Sequence, residues 1–188
     1  QLKNSHVVRL ESRDSNNEGK GEVSIRNLVK ASLRMRPDRI VVGEVRDGTA
    51  YDLINAMNTG HDGSMSTVHA NNPESCMTRL QNLVLEAGMD LPAHTIKTNL
   101  GQAVNIVVQI KRFYDGTRKI THISEVEKYD SQKDEFVIKD IFRFKEEGVD
   151  EEGKLLGSLQ YTGIELSQEL KDMYAMMKMN PVDYLPKK

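Results

Sequence analysis

This sequence contains no tryptophan and only 5% aromatic residues, so it offers no platform on which nucleic-acid bases would stack. Cys76 is its one cysteine, which excludes an intrachain disulfide and makes a reducing compartment the simple reading. Neither sign of charge dominates. The 26 Lys and Arg against 28 Asp and Glu leave a formal charge of −2, which lends nothing to a nucleic-acid role. There is no signal peptide and no apolar run long enough to cross a bilayer, so work at a membrane would proceed from the cytoplasmic side through partners. A phosphate-cradling GxxxxGK[ST] loop is also missing, since Gly19-Lys20-Gly21-Glu22 does not fit it. There is no internal repeat and no low-complexity segment. The 38% hydrophobic and 29% charged residues over 188 positions suit one globular domain, or one with a small appendage. The chain starts without Met and enters the strand-like run His6–Leu10 almost at once, and so reads as a piece of a longer protein.

Periodicity orders the rest. Residues 11–22 are polar and Gly-containing, hence a loop. Ile25, Leu28, Val29 and Leu33 form a helical stripe over 24–36 that Pro37 stops. Residues 39–45 read as a buried strand, too short and too β-branched for a helix. Thr49 and Asp52 form a capping box for a helix over 50–58, closed by Gly60. Residues 64–69 form a second strand. A helix follows, with Asn72 as its cap, Pro73 first, one face of Cys76, Met77, Leu80, Leu83, Val84 and Ala87, and Gly88 as its stop. Leu91-Pro92 opens a shorter helix to about Leu100, and 103–110 is an apolar strand. Tyr114-Asp115-Gly116-Thr117 is a hairpin turn, and 130–134 a second turn, so three strands should form an antiparallel meander. Residues 146–154 read as an acidic linker or exposed turn. Leu166, Leu170, Met173, Tyr174 and Met177 mark an amphipathic helix before a Pro-containing tail. The alternation up to about 110 implies βαβ crossovers and a parallel sheet, with the meander extending that sheet or packed on its edge.

The chemistry gathers at two strand ends. Ile40-Val41-Val42 runs out into Gly43 and Glu44, and the next strand ends in His69, which puts two ionisable groups at one edge of a parallel sheet. A carboxylate there can orient or deprotonate a water that attacks a γ-phosphate, or hold Mg²⁺ directly or through water. Gly43 permits close backbone approach to a ligand. A neutral imidazole can donate to a phosphate oxygen and report its presence. The plainer readings are a Glu44 paired with Arg46 or Arg39, and a His69 packed under the Asn72 cap. His61 is a second polar contact or a solvated turn residue. No third ligand stands at a spacing that would make His61 and His69 a zinc site. Alternation places Ser64 and Ser66 on one face and Thr67 and His69 on the other. Arg34, Arg36 and Arg39 could neutralise phosphate, although a helix C-terminus already suits Arg34. The Met-rich stretch 173–179 is helix core or, if exposed, a docking patch.

Taken together, these motifs resemble the secretion-superfamily ATPases of type II secretion, type IV pili and type IV secretion. NNEGKGEVSIRNLVKASLRMRPDRIVVGEVRD looks like the tight-adherence (Flp pilus) branch. IVVGEVR is similar to that family's Walker B, with Gly where other P-loop enzymes carry a Mg²⁺-binding Asp, and TGHDGSMSTVHANNP to its His box. NLVLEAGMDLP and HISEVEKY…IFRF fit the same branch. The resemblance implies an α/β fold, the C-terminal portion of a RecA-like P-loop domain with a β-meander and a C-terminal helix. It implies a RecA-like core over 1–110, a meander over 111–145, and a linker with helix and tail over 146–188. By the same resemblance Glu44 is the Walker B acid and His69 the His-box histidine, with Gly43, Arg46, His61 and Thr67 in support and Arg46 paired to Asp47. The Asp-box acids and the Walker A loop would lie before Gln1. ATP and Mg²⁺ are the implied ligands, a hexameric ring and inner-membrane platform proteins the implied partners, and the inner face of the membrane the implied place of work. The alternative is a non-catalytic module that docks a platform protein or a neighbouring subunit. A DNA translocase suits the fold but not the charge.

Overall fold

A computed structural model describes residues 6–180 of the chain. These fall into two compact units, one of residues up to 67 with 83–89, the other of 68–82 with residues from 90 onward. The Pro-containing tail expected after the last helix lies outside the described residues, as do the first residues of the chain.

In the first unit, His6–Leu10 is not a strand. Val8 and Leu10 are exposed, and among the described residues a bridge between Arg13 and Val23 closes the polar loop that follows. Helix α1 (Ile25–Leu33) starts at Ser24, whose side chain accepts from the Asn27 N–H, and ends at Arg34. It stops short of Pro37 because Arg36 already has φ 51°, a conformation no helix continues through. Of its apolar stripe only Val29 is buried. Strand β1 (Val41–Val42) and strand β2 (Met65–Ser66) pair in parallel, Val41 with Met65 and Val42 with Ser66. Both are shorter than expected, although main-chain bonds from Met65 N–H to Ile40 O and from Val45 N–H to Thr67 O, each 3.0 Å, extend the contact beyond them. The expectation of a fully buried first strand needs correcting. Ile40, Val42 and Val45 are buried, whereas Val41 and its partner Met65 are about half exposed.

Helix α2 (Thr49–Met57) joins the two strands. Its capping box does not form. Gly48 is the N-cap and gives no side-chain bond; Asp47 Oδ1 instead accepts the Thr49 N–H at 2.8 Å. Asp52, expected to complete the box, lies on the buried side and takes Arg26 Nε at 2.6 Å and Lys30 Nζ at 3.6 Å from α1. That pairing explains how an acid survives on the inner face of α2. Gly48 is required by packing, since a Cβ there would stand 2.6 Å from Ala87 Cα.

Asp47 also carries a pH signature. Hydrogen bonds from the Thr49 side chain and backbone hold its carboxyl below the usual carboxylate range. A depressed folded pKa stabilises above the unfolded value and is lost as pH falls through the folded one. Asp47→Ala should therefore cost about 1 kcal/mol at neutral pH. The gap between variant and wild type should narrow as pH falls from the ordinary carboxylate range through the lowered folded pKa, read by urea denaturation across pH.

Helix α3 (Pro73–Leu85) begins as expected, with Asn72 Oδ1 accepting the Ser75 N–H at 2.7 Å. Cys76 and Met77 are buried, and burial pushes the Cys76 thiol up to about 11, so it is a packing residue without nucleophilic character.

The second unit is built on an antiparallel sheet of β3 (Ile106–Arg112), β4 (Arg118–Asp130), β5 (Glu135–Val149) and β6 (Leu155–Tyr161), paired in that order. Two expectations change here. The run near 103–110 does not join the parallel pair, because the tight turn at 114–117 folds β4 back onto it: Phe113 N–H bonds Thr117 O, and Asp115 Oδ1 takes the Thr117 N–H, both at 2.9 Å. The stretch 146–154 is, of the two readings, an exposed turn preceded by strand, and not a linker. It completes β5 and turns at Asp150, whose Oδ1 accepts from Glu152 and Lys154 N–H groups, so the meander has four strands. Asp115 also ties the two ends of the sheet, since its Oδ2 accepts the Leu155 N–H at 2.8 Å.

Helix α4 (Ala93–Ala103) buries Ile96 and Leu100 and lies so close to β4 that a Cβ on Gly101 would meet Tyr129 N at 2.8 Å. Helix α5 (Gln168–Met176) packs Leu166 and Leu170 on Ile141 of β5. A buried carboxylate fastens it. Glu125 of β4 accepts the Ser167 N–H and the Ser167 hydroxyl, while Ser167 Oγ caps the Leu170 N–H.

Candidate active site

The predicted site residues divide between the two units. Gly43, Glu44, Arg46, His61 and Thr67 belong to the first, and His69 opens the second, two residues beyond Thr67 in the chain.

Glu44 follows β1 by two residues. Its Oε2 accepts Arg46 Nη2, and the Oε1 atom is shielded from solvent. The arginine is therefore not paired with Asp47, as the resemblance implied. Asp47 is taken by Thr49, and an i, i+2 spacing along extended chain puts Glu44 and Arg46 on the same side. The Glu44 carboxylate holds the Arg46 guanidinium above its ordinary value.

Gly43 has no conformational need to be glycine, because its φ is not positive and a Cβ built on it meets nothing within 4 Å. Its small size leaves open space directly before the acid, room that a phosphate or a bound ion would use. A single carboxylate oxygen donor beside that space suits a hard divalent cation such as Mg²⁺. Among the described residues no group of three acidic, His or Cys side chains gathers for a metal.

Thr67 stands beside this acid. Its hydroxyl donates to Gly43 O at 2.5 Å, and its carbonyl accepts the Val45 N–H at 3.0 Å. His61 is half-buried and held at the end of α2. Its Nδ1 donates to Ala56 O at 3.0 Å, closing the C-terminal end of α2, and its own carbonyl accepts the Ser64 hydroxyl at 2.7 Å. That hydroxyl in turn accepts the Ile40 N–H at 2.9 Å. His61 thus positions the start of β2.

Of the three arginines near Pro37, Arg34 is the C-cap of α1, as its place at a helix end implied. The Arg39 guanidinium packs over Gly63.

His69 is exposed. The carbonyl of the next residue, Ala70, accepts Gln109 Nε2 from β3 at 3.1 Å. Sequence reasoning missed Gln109, since a glutamine on an apolar strand carries no motif. It also missed the Arg26 and Lys30 clasp on Asp52. Two cations one turn apart, opposite an acid in an otherwise apolar helix, were the available signal.

Comparisons with known proteins give the family of the chain. A family model described as "Type II/IV secretion system protein" matches residues 1–152. The chain belongs to this family. Among relatives of this secretion family, a putative conjugal transfer protein of Mycobacterium tuberculosis is 45% identical over 63% of this chain and 33% of its own length. The type IV secretion system protein VirB11 of Bartonella quintana is 39% identical over 63% of this chain and 33% of its own. The chain thus spans about a third of the curated relatives it matches. Among solved structures, the VirB11 ATPase of the Brucella suis type IV secretion system, in complex with sulphate, aligns with TM-score 0.51 and 38% identity. That alignment covers 54% of this chain and 31% of that one. The α/β class expected from the sequence is therefore the fold of a secretion ATPase over the matched half.

Proposed function

We propose that this chain supplies the water-activating and phosphate-sensing residues of an ATP hydrolase that powers secretion or pilus assembly. The supporting observation is Glu44: a carboxylate held by Arg46 at the end of a parallel strand, with open space over Gly43 and its backbone pinned by Thr67. In this reading Glu44 is the Walker B acid. It orients the attacking water and accepts its proton. Glu44 is also the residue that would hold Mg²⁺, directly or through water; the ion would neutralise phosphate charge when bound. Arg46 holds one oxygen of the carboxylate and so restrains its aim. His69, the His-box histidine, donates to a phosphate oxygen and couples its loss to motion. His61 holds the β2 end of the site in place.

The missing phosphate loop would come from elsewhere in a RecA-like P-loop domain, and a hexameric ring would bring subunits together around ATP. The NNEGKGEVSIRNLV and IVVGEVR strings favour the tight-adherence (Flp pilus) branch. An inner-membrane platform protein would be the partner, and the cytoplasmic face of the membrane the place of work. Among the described residues no helix is long and apolar enough to cross a membrane.

The test is ATP hydrolysis by the intact gene product carrying wild-type Glu44 or Glu44→Gln, with binding measured alongside. The 188-residue chain alone should hydrolyse ATP at a negligible rate, because no residue in it provides the phosphate-binding nest and lysine. A robust rate from the purified chain would overturn that dependence.

One observation favours a second reading, an assembly module without catalysis. Met176 and Met177 stand exposed at the end of α5 while Met173 packs inward, and exposed methionines suit an adaptable docking surface.

A further inference from the structure

We infer that Thr67 is a positioning residue that sets the backbone conformation of Glu44, an inference that rests on the reading of Glu44 as the water-activating acid. Its hydroxyl donates to the Gly43 carbonyl at 2.5 Å, and its carbonyl accepts the Val45 N–H at 3.0 Å. These two groups belong to the two peptide planes that flank the Glu44 Cα. Because peptide units are rigid, the orientation of those planes about Cα is what φ and ψ describe. One residue therefore holds both rotations of Glu44.

The second bond belongs to the parallel pairing and would survive most substitutions at Thr67. The first depends on the hydroxyl. It occupies a carbonyl beside Gly43, where the absence of a side chain leaves the segment free to swing and where no Cβ contact would restrain it. Arg46 steadies the tip of the Glu44 side chain, and Thr67 steadies its base. With both in place the carboxylate has a defined aim, which water activation requires. Misplacement by about 1 Å can cost as much as 10²-fold in rate. The same residue stands two positions before His69, so a shift of the His-box segment would be felt at the acid through the Thr67 bonds.

The experiment uses the intact gene product with Thr67→Val, Thr67→Ser and Glu44→Gln. Valine keeps the shape and β-branching and removes the donor; serine keeps the donor. Thr67→Val should lower kcat for ATP about tenfold or more while leaving KM and the thermal midpoint near wild type. Thr67→Ser should restore most of the rate. Added to Glu44→Gln, Thr67→Val should lower kcat no further, because the residue acts through the acid. A Thr67→Val enzyme with wild-type kcat would overturn the inference, as would equal losses in the Ser and Val variants, which would assign the effect to packing. Wild-type turnover in Glu44→Gln would remove the reading of Glu44 itself, a result distinct from either.

Discussion

Glu44→Gln in the intact gene product should bind ATP as the wild type does and turn it over about 10²- to 10⁴-fold more slowly. Gln has the shape of Glu, and its amide oxygen can still accept from Arg46. It lacks the negative charge and cannot take a proton. The loss should therefore appear in kcat, with little change in nucleotide affinity, the pattern of an interaction made only in the transition state. Equilibrium nucleotide binding and steady-state hydrolysis on the same preparation separate the two. The charge on Arg46 would persist, so a gain in local positive charge should if anything favour the triphosphate. Wild-type turnover in this variant would end the catalytic assignment of Glu44.

Glu125→Ala should destabilise the second unit by about 3 kcal/mol. Glu125 is only 2% exposed and holds both the Ser167 N–H and the Ser167 hydroxyl. Its removal leaves two buried donors without an acceptor, each costing about 1–3 kcal/mol. Part of this would be recovered if α5 leaves the sheet and lets water in. Ser167 is the N-cap of α5, so the loss should reach the helix. Hydrogen exchange at the Leu170 amide, capped by Ser167 Oγ, should accelerate more than exchange at amides in the middle of β4. A denaturation midpoint matching wild type, or unchanged protection at Leu170, would refute this account of how the helix is fastened. The more conservative Glu125→Gln should lose less, because it retains an acceptor for the Ser167 N–H.

The elements legible in the sequence were those whose signals are local. Asn72 before Pro73 marked the start of α3, the 114–117 turn marked a hairpin, and the apolar spacing at Leu166, Leu170 and Met173 marked α5. Where two partners competed for one residue, local reading failed. Asp52 sits three residues after Thr49, as a capping box requires, yet Arg26 and Lys30 of α1 take it, since an acid on a buried face is satisfied best by a cation. Asp47 instead accepts the Thr49 N–H at the start of α2, and Arg46 pairs with Glu44, the plainer of the readings the sequence offered.

The sequence alone determined which side chains could do chemistry here and in which order they occur: an acid after an apolar run, a histidine after a second run, and no phosphate loop of the chain's own. Those are properties of residue type and spacing, and folding does not alter them. Tertiary structure decided how the acid is held. The Thr67 hydroxyl reaches back 24 positions to the Gly43 carbonyl, and a bond of that span exists only once two strands lie side by side.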